Sequence, residues 1–93
     1  MKVFVLESRW DLGEGINSDV MGVFDSKEKA QLNMRFAFEY DIENTYFSRF
    51  FKDGKLLPNN KTIRLDMKEM HIYLREGHCY QFIEYRINEY EVQ

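Results

Sequence analysis

Two histidines and one cysteine, His71, His78 and Cys79, are the only imidazole and thiol groups available for metal binding or nucleophilic chemistry. Structural zinc takes four ligands, and neighbours 78 and 79 on a strand point to opposite faces, so no metal site is expected. A nucleophilic Cys79 would need a base within hydrogen-bond reach. His71 stands eight residues away, near the other end of the hairpin described below, so a buried or rim thiol is expected. The stretch Asp11 to Asp19 offers carboxylates, but Gly13 and Gly15 stand where a calcium loop needs oxygen ligands. Gly13-Glu14-Gly15 is also too short to cradle a phosphate. No catalytic residue, metal or cofactor is assigned on these grounds, and the chain is expected not to be an enzyme.

The remaining chemistry is that of recognition. Fifteen aromatic rings among 93 residues exceed the needs of so small a core, so some should be exposed. Arg49-Phe50-Phe51-Lys52, followed by Lys55, interleaves cations with rings, as surfaces that stack single-stranded nucleic acid do. The overall charge of -3 opposes that use. Basic side chains outnumber acidic ones only within residues 48–61, and both flanks are acidic. Aromatics with Arg also mark protein interfaces, and Arg49, Phe50, Phe51 and Lys52 are assigned to partner binding on that basis.

These residues need elements to hold them, and the length allows one domain, residues 1–93. Val3-Phe4-Val5-Leu6 reads as a strand apolar on both faces, hence central. A polar, Gly-rich loop from Asp11 to Asp19 leads to a second strand at Val20 to Phe24, an antiparallel neighbour, with Gly22 at a bulge or close approach. Asp25-Ser26-Lys27-Glu28 has capping-box spacing with Asp25 as the cap, so a helix is expected from Ser26 to about Asp41. Phe36, Phe38 and Tyr40 give that helix rings on more than one face, as a helix covered on both sides would have. Residues 44–61 are open between strand and loop, with Asp53-Gly54 a turn signal.

Strands at 69–76 and 79–87 meet at Gly77-His78, a type II′ turn sequence. That register sets Tyr73 against Phe82, His71 against Glu84 and Glu69 against Arg86, which matches charges across the strands. Tyr73, Tyr80 and Phe82 then share the face away from Ile72 and Ile83, and they are the further partner-binding candidates. The apolar phase of both strands changes at the same level, which predicts one continuous ribbon from about 62 to 92, with Leu65 facing Tyr90 and Ile63 facing Val92; the alternatives are a bulge in each strand or a turn near Asp66 to Lys68 that makes residues 62–66 a separate strand. The expected fold is α+β: an antiparallel sheet of about four strands in the order β-β-α-β-β, one main helix and a long C-terminal hairpin.

The succession Val3-Phe4-Val5-Leu6, a Gly-rich loop, then Val20-Met21-Gly22-Val23-Phe24-Asp25-Ser26-Lys27-Glu28-Lys29-Ala30 resembles a group of small uncharacterised bacterial and phage proteins. Tyr85 to Val92 is similar to their closing strand. The resemblance implies a compact α+β domain and carries over no catalytic residue. No apolar run approaches the ~20 residues a membrane span requires, and the N-terminal apolar run is too short for a signal-peptide core. The expectation is a cytoplasmic protein-interaction module, an inhibitor or adaptor of a host or cognate protein, whose exposed rings would otherwise join two copies in a homodimer. A nucleotide-type small ligand held by Arg9, Trp10, Arg35 and Tyr40 across the sheet-to-helix seam is the second reading. Single-stranded nucleic acid on residues 49–55 is the third.

Overall fold

A computed structural model describes residues 1–58, 63–76 and 79–93. Along the chain it has β1 (Lys2–Asp11), β2 (Asn17–Phe24), α1 (Lys27–Asn44), a 3-10 turn (Tyr46–Phe50), β3 (Phe51–Lys52), β4 (Lys55–Leu56), β5 (Ile63–Asp66), β6 (His71–Glu76) and β7 (Cys79–Glu91). Five strands form one antiparallel sheet in the order β2-β1-β7-β6-β5, and β3 and β4 form a separate two-stranded ribbon. The class is α+β with one main helix, as expected, and the main sheet has five strands where about four were expected.

Strand β1 is interior, as its apolar run requires. It pairs with β7 from Lys2↔Glu91 to Asp11↔Phe82 and with β2 on its other side. The β1–β2 register shifts by one residue between Leu6 and Glu7, leaving Met21 as the extra residue beside Gly22. The bulge reading of Gly22 holds; a Cβ there would come within 2.9 Å of the Phe24 ring, a side chain rather than a close backbone.

The helix begins one residue later than the capping box implies. Ser26 is the cap, and its Oγ accepts from the Lys29 amide at 3.2 Å. Asp25 instead pairs with the Lys29 ammonium at 2.9 Å; that hydrogen bond and charge hold its carboxyl below the usual carboxylate range. Three residues beyond Asp41 are still helical, and the Asn44 side chain donates to the Tyr40 carbonyl at 2.8 Å in the last turn. The helix is covered on one side only. Ala30, Phe38 and Ile42 are buried, whereas Leu32, Phe36 and Tyr40 face solvent, so the expectation of two covered faces is overturned.

After the helix, Thr45 turns the chain into the 3-10 segment, and Phe47 enters the core. Asp53 and Gly54 both take positive φ, 53° and 77°, the conformation that their turn signal calls for between β3 and β4.

The register of the C-terminal hairpin is the one read from charge matching: His71↔Glu84, Ile72↔Ile83 and Tyr73↔Phe82. The Gly77-His78 turn itself lies outside the described residues. The continuous ribbon over 62–92 is not formed. Strand β5 folds back on β6, so Leu65 meets Ile72 and Ile63 meets Leu74 instead of Tyr90 and Val92. A local turn is the cause: Asp66 Oδ1 accepts from the amides of Lys68 and Glu69, each at 3.0 Å, and Met70 adopts φ 50°. The change of apolar phase on the first strand is therefore a chain reversal. Glu69 lies in this turn and, among the described residues, forms no ion pair with Arg86. The lower half of β7, free of β6, keeps only β1 as partner among the described residues.

The core joins Leu6, Phe38, Ile42, Phe47, Ile63, Ile72, Leu74, Ile83 and Tyr85 between the sheet and α1. Tyr85 also stands edge-on to Phe38, with centroids 6.1 Å apart, and its hydroxyl donates to Asp41 Oδ2. Burial, then that hydrogen bond and the Asp41 charge, push the Tyr85 phenol well above its ordinary value of 10.0. A phenol that ionises later in the folded than in the unfolded chain adds stability below pH ~10 and loses it as pH rises, because only the unfolded state then releases its proton. Stability measured by urea unfolding should fall above pH ~10, and less steeply in Tyr85→Phe. At neutral pH that variant should be less stable by about 1–2 kcal/mol, the cost of leaving the Asp41 carboxylate without its donor. Ser26→Ala should cost about 1 kcal/mol in the same assay, and Asp25→Ala less, since Ser26 is the cap.

Candidate functional site

Alternation along the strands assigns each side chain to one of two faces. Leu6, Ser8 and Trp10 of β1 lie opposite Ile87, Tyr85 and Ile83 of β7 on the face that α1 covers. The intervening residues, Glu7, Arg9 and Asp11 opposite Arg86, Glu84 and Phe82, lie on the other face, which among the described residues has no helix over it. Strand β6 adds His71, Tyr73 and Arg75 to this open face.

Four rings meet there. Tyr73 lies 5.1 Å from His71 and 5.7 Å from Tyr80 between centroids, and Phe82 lies 5.6 Å from Tyr80 and stands edge-on to His71 at 6.4 Å. The Arg9 guanidinium sits 5.8 Å from the Phe82 centroid and 3.1 Å from the Glu84 carboxylate. One strand from each side thus contributes to a cluster centred on β7. Tyr73, Tyr80 and Phe82 are together as the register requires, but their exposure differs. Phe82 is only 7% exposed and Tyr80 46%. Phe82 is therefore a buried support rather than an exposed contact, because Arg9 and the neighbouring rings enclose it. Tyr80 is the exposed ring, with Tyr73 half-buried beside it.

His71 faces Glu84 in the ladder but does not pair with it; Arg9 takes that carboxylate. The His71 Nε2 is buried without a hydrogen-bond partner, and the ring packs against Tyr73 and Phe82. Cys79 is exposed and lies five residues along the ladder from His71, about 17 Å, far beyond the reach of a base. No group of three or more metal-binding side chains gathers among the described residues.

The basic island lies elsewhere. Phe50 and Phe51 pack against the core on the helix side of the sheet, away from Tyr73 and Tyr80. Arg49 and Lys52 are exposed, and the Arg49 guanidinium sits 5.7 Å from the Tyr46 centroid. Tyr46 stacks on Phe47 at 4.8 Å, and burial pushes its phenol up to about 12. The rings of residues 49–52 thus pack against the core and are partly buried, while the cations are exposed. Phe51, with Ile42, Leu56, Leu65 and Met67, walls an open groove of about 680 Å³ whose rim carries Glu39, Glu43, Asp53 and Lys55.

The four residues considered for a small ligand are not brought together. Arg9 is on the open face, Trp10 on the helix face, and Tyr40 on the outer side of α1 with Arg35 exposed nearby. The cleft at the sheet-to-helix seam measures about 230 Å³ and includes only Trp10 of the four. Typical ligand pockets start near ~300 Å³.

Arg9 is the site residue that sequence reasoning misplaced. Its opposite charge to Glu84 was the available signal, but using it requires knowing that β1 and β7 pair. If Phe82 supports and Tyr80 contacts, Phe82→Ala should destabilise the protein by about 3 kcal/mol in urea unfolding, whereas Tyr80→Ala should change stability by less than ~1 kcal/mol. Compared with known proteins, the chain matches no family model, no curated protein and no solved structure.

Proposed function

We propose that the protein is a non-enzymatic interaction module that docks another protein on the open face of its sheet. The observation that carries this reading is the ring cluster of His71, Tyr73, Tyr80 and Phe82 with Arg9, set on a sheet face that no helix covers among the described residues. Rigid aromatics beside an Arg that is already oriented by Glu84 are the composition of interface hot spots, where little side-chain freedom remains to be lost on binding.

The charge on this face favours a protein over a polyanion. Arg9, Arg64, Arg75 and Arg86 are balanced by Glu7, Asp11, Asp66 and Glu84 in the strand registers. A phosphate backbone would meet as many repulsive as attractive groups. The sequence resemblance of residues 3–30 and 85–92 to small bacterial and phage proteins is the ground for proposing a bacterial host protein as the partner, inhibited or adapted by this chain. Single-stranded nucleic acid, read from the sequence as the third possibility and on residues 49–55, becomes the second reading and moves to the sheet face, where exposed Tyr80 lies beside half-buried Tyr73.

Affinity capture from a bacterial lysate with the wild type and with Tyr80→Ala and Arg9→Glu variants tests this directly. A stoichiometric protein should be retained by the wild type, and its affinity in titration should fall at least tenfold with either substitution, while circular dichroism stays unchanged. Retention equal in all three would exclude the open face. Oligonucleotide binding that collapses between 50 and 200 mM salt would replace the protein reading with the nucleic-acid one.

A further inference from the structure

The outer side of α1 is a second surface, on the opposite side of the molecule from the open sheet face. Leu32, Phe36 and Tyr40 recur every fourth residue and are 55%, 62% and 65% exposed. At 100° per residue they form one stripe pointing away from buried Ala30, Phe38 and Ile42. Nothing in the fold of one chain requires large apolar side chains there.

The charges on this helix are also arranged against its own dipole. Lys27, Glu28, Lys29 and Arg35 make the first half net basic, Glu39, Asp41 and Glu43 make the second half acidic, and the last turn holds no basic residue. An isolated helix prefers the reverse. The order becomes favourable when a second copy of the helix lies antiparallel, since each basic half then faces an acidic one. We infer that α1 is a homodimerisation helix that packs antiparallel on a second copy of this chain, with Phe36 at the two-fold axis.

The spacing is self-complementary about that residue. Leu32 and Tyr40 stand four positions to either side of Phe36, so each meets the other across the axis. Lys29 and Glu43 stand seven positions to either side, both exposed and within about 20° of the Phe36 direction, so each lysine faces the carboxylate of the other copy. In a single chain Lys29 pairs with Asp25, with both side chains mostly exposed, so it can turn to the new partner at little cost. The three apolar side chains offer roughly 300–400 Å² per copy, and the flanking residues extend this toward the low end of specific interfaces, which suits micromolar rather than nanomolar association. The inference is independent of the proposed docking site. It leaves both open sheet faces free, at opposite ends of a two-fold particle.

Sedimentation equilibrium of the full chain from about 5 to 500 μM reads the outcome. The mass should rise with concentration from 11.3 kDa to that of a dimer. Phe36→Glu, at an exposed site, should leave the thermal midpoint unchanged and abolish the dimer, because two carboxylates would face each other on the axis. Lys29→Glu and Glu43→Lys should each weaken the dimer about tenfold, and the double exchange should restore it, which a loss of the Asp25 pair cannot imitate. A monomer at every concentration overturns the inference. So does a dimer that ignores Phe36→Glu but is dispersed by Tyr80→Ala, which would place the self-interface on the open face. Charge exchanges that fail to rescue one another overturn the antiparallel register.

Discussion

One helix can cover one face of a sheet, and everything outside the core follows from that limit. Helix α1 packs on β1, β2 and β7, and Phe47 of the 3-10 segment joins the core with Ile63, Ile72 and Leu74, so one side of the sheet is covered and, among the described residues, no helix lies over the other. The covered face holds the buried aliphatic residues with Phe38 and Phe47. On the uncovered face side chains must shield one another, and they do so by clustering: His71, Tyr73, Tyr80 and Arg9 enclose Phe82.

Strand β7 is where the two faces are coordinated. It pairs with β1 along its length and with β6 over its first half, sends Ile83 and Tyr85 into the core and presents Tyr80, Phe82 and Glu84 outward. Tyr85 links this strand to α1 through Asp41, a polar contact at the rim of the apolar core. A polar bond of this kind contributes orientation as well as stability, because only one placement of the helix along the sheet satisfies the carboxylate. The rings on the open face are therefore held by the same strand that anchors the helix.

Much of the local structure was legible because its causes are local. Asp53-Gly54 turns where its positive φ requires, Gly22 marks the bulge, and the hairpin has the register that charge matching indicated, although neither His71 with Glu84 nor Glu69 with Arg86 forms an ion pair among the described residues. Where neighbouring residues offered two solutions, the reading erred by a small step: Ser26 caps the helix because Asp25 is occupied by Lys29. The errors of organisation arose at a choice between partners distant in sequence. The apolar phase of residues 63–67 fits pairing with either Ile72 and Leu74 or Tyr90 and Val92. The Asp66 turn gives β6 the shorter loop to close, and β1 occupies the strand that β5 would otherwise have used.

The candidate sites divide along the same line. Sequence by itself determined the α+β class, the single main helix, the pairing of Tyr73 with Phe82, and the separation of His71 from Cys79, since each depends on spacing within one element or one hairpin. Only the tertiary structure decided which rings are exposed. It buried Phe82 beneath Arg9, packed Phe50 and Phe51 against the core, and left Leu32, Phe36 and Tyr40 uncovered. Exposure depends on what other elements lie above a residue, and that is set by β1 joining β7 and by one helix having two faces to choose from.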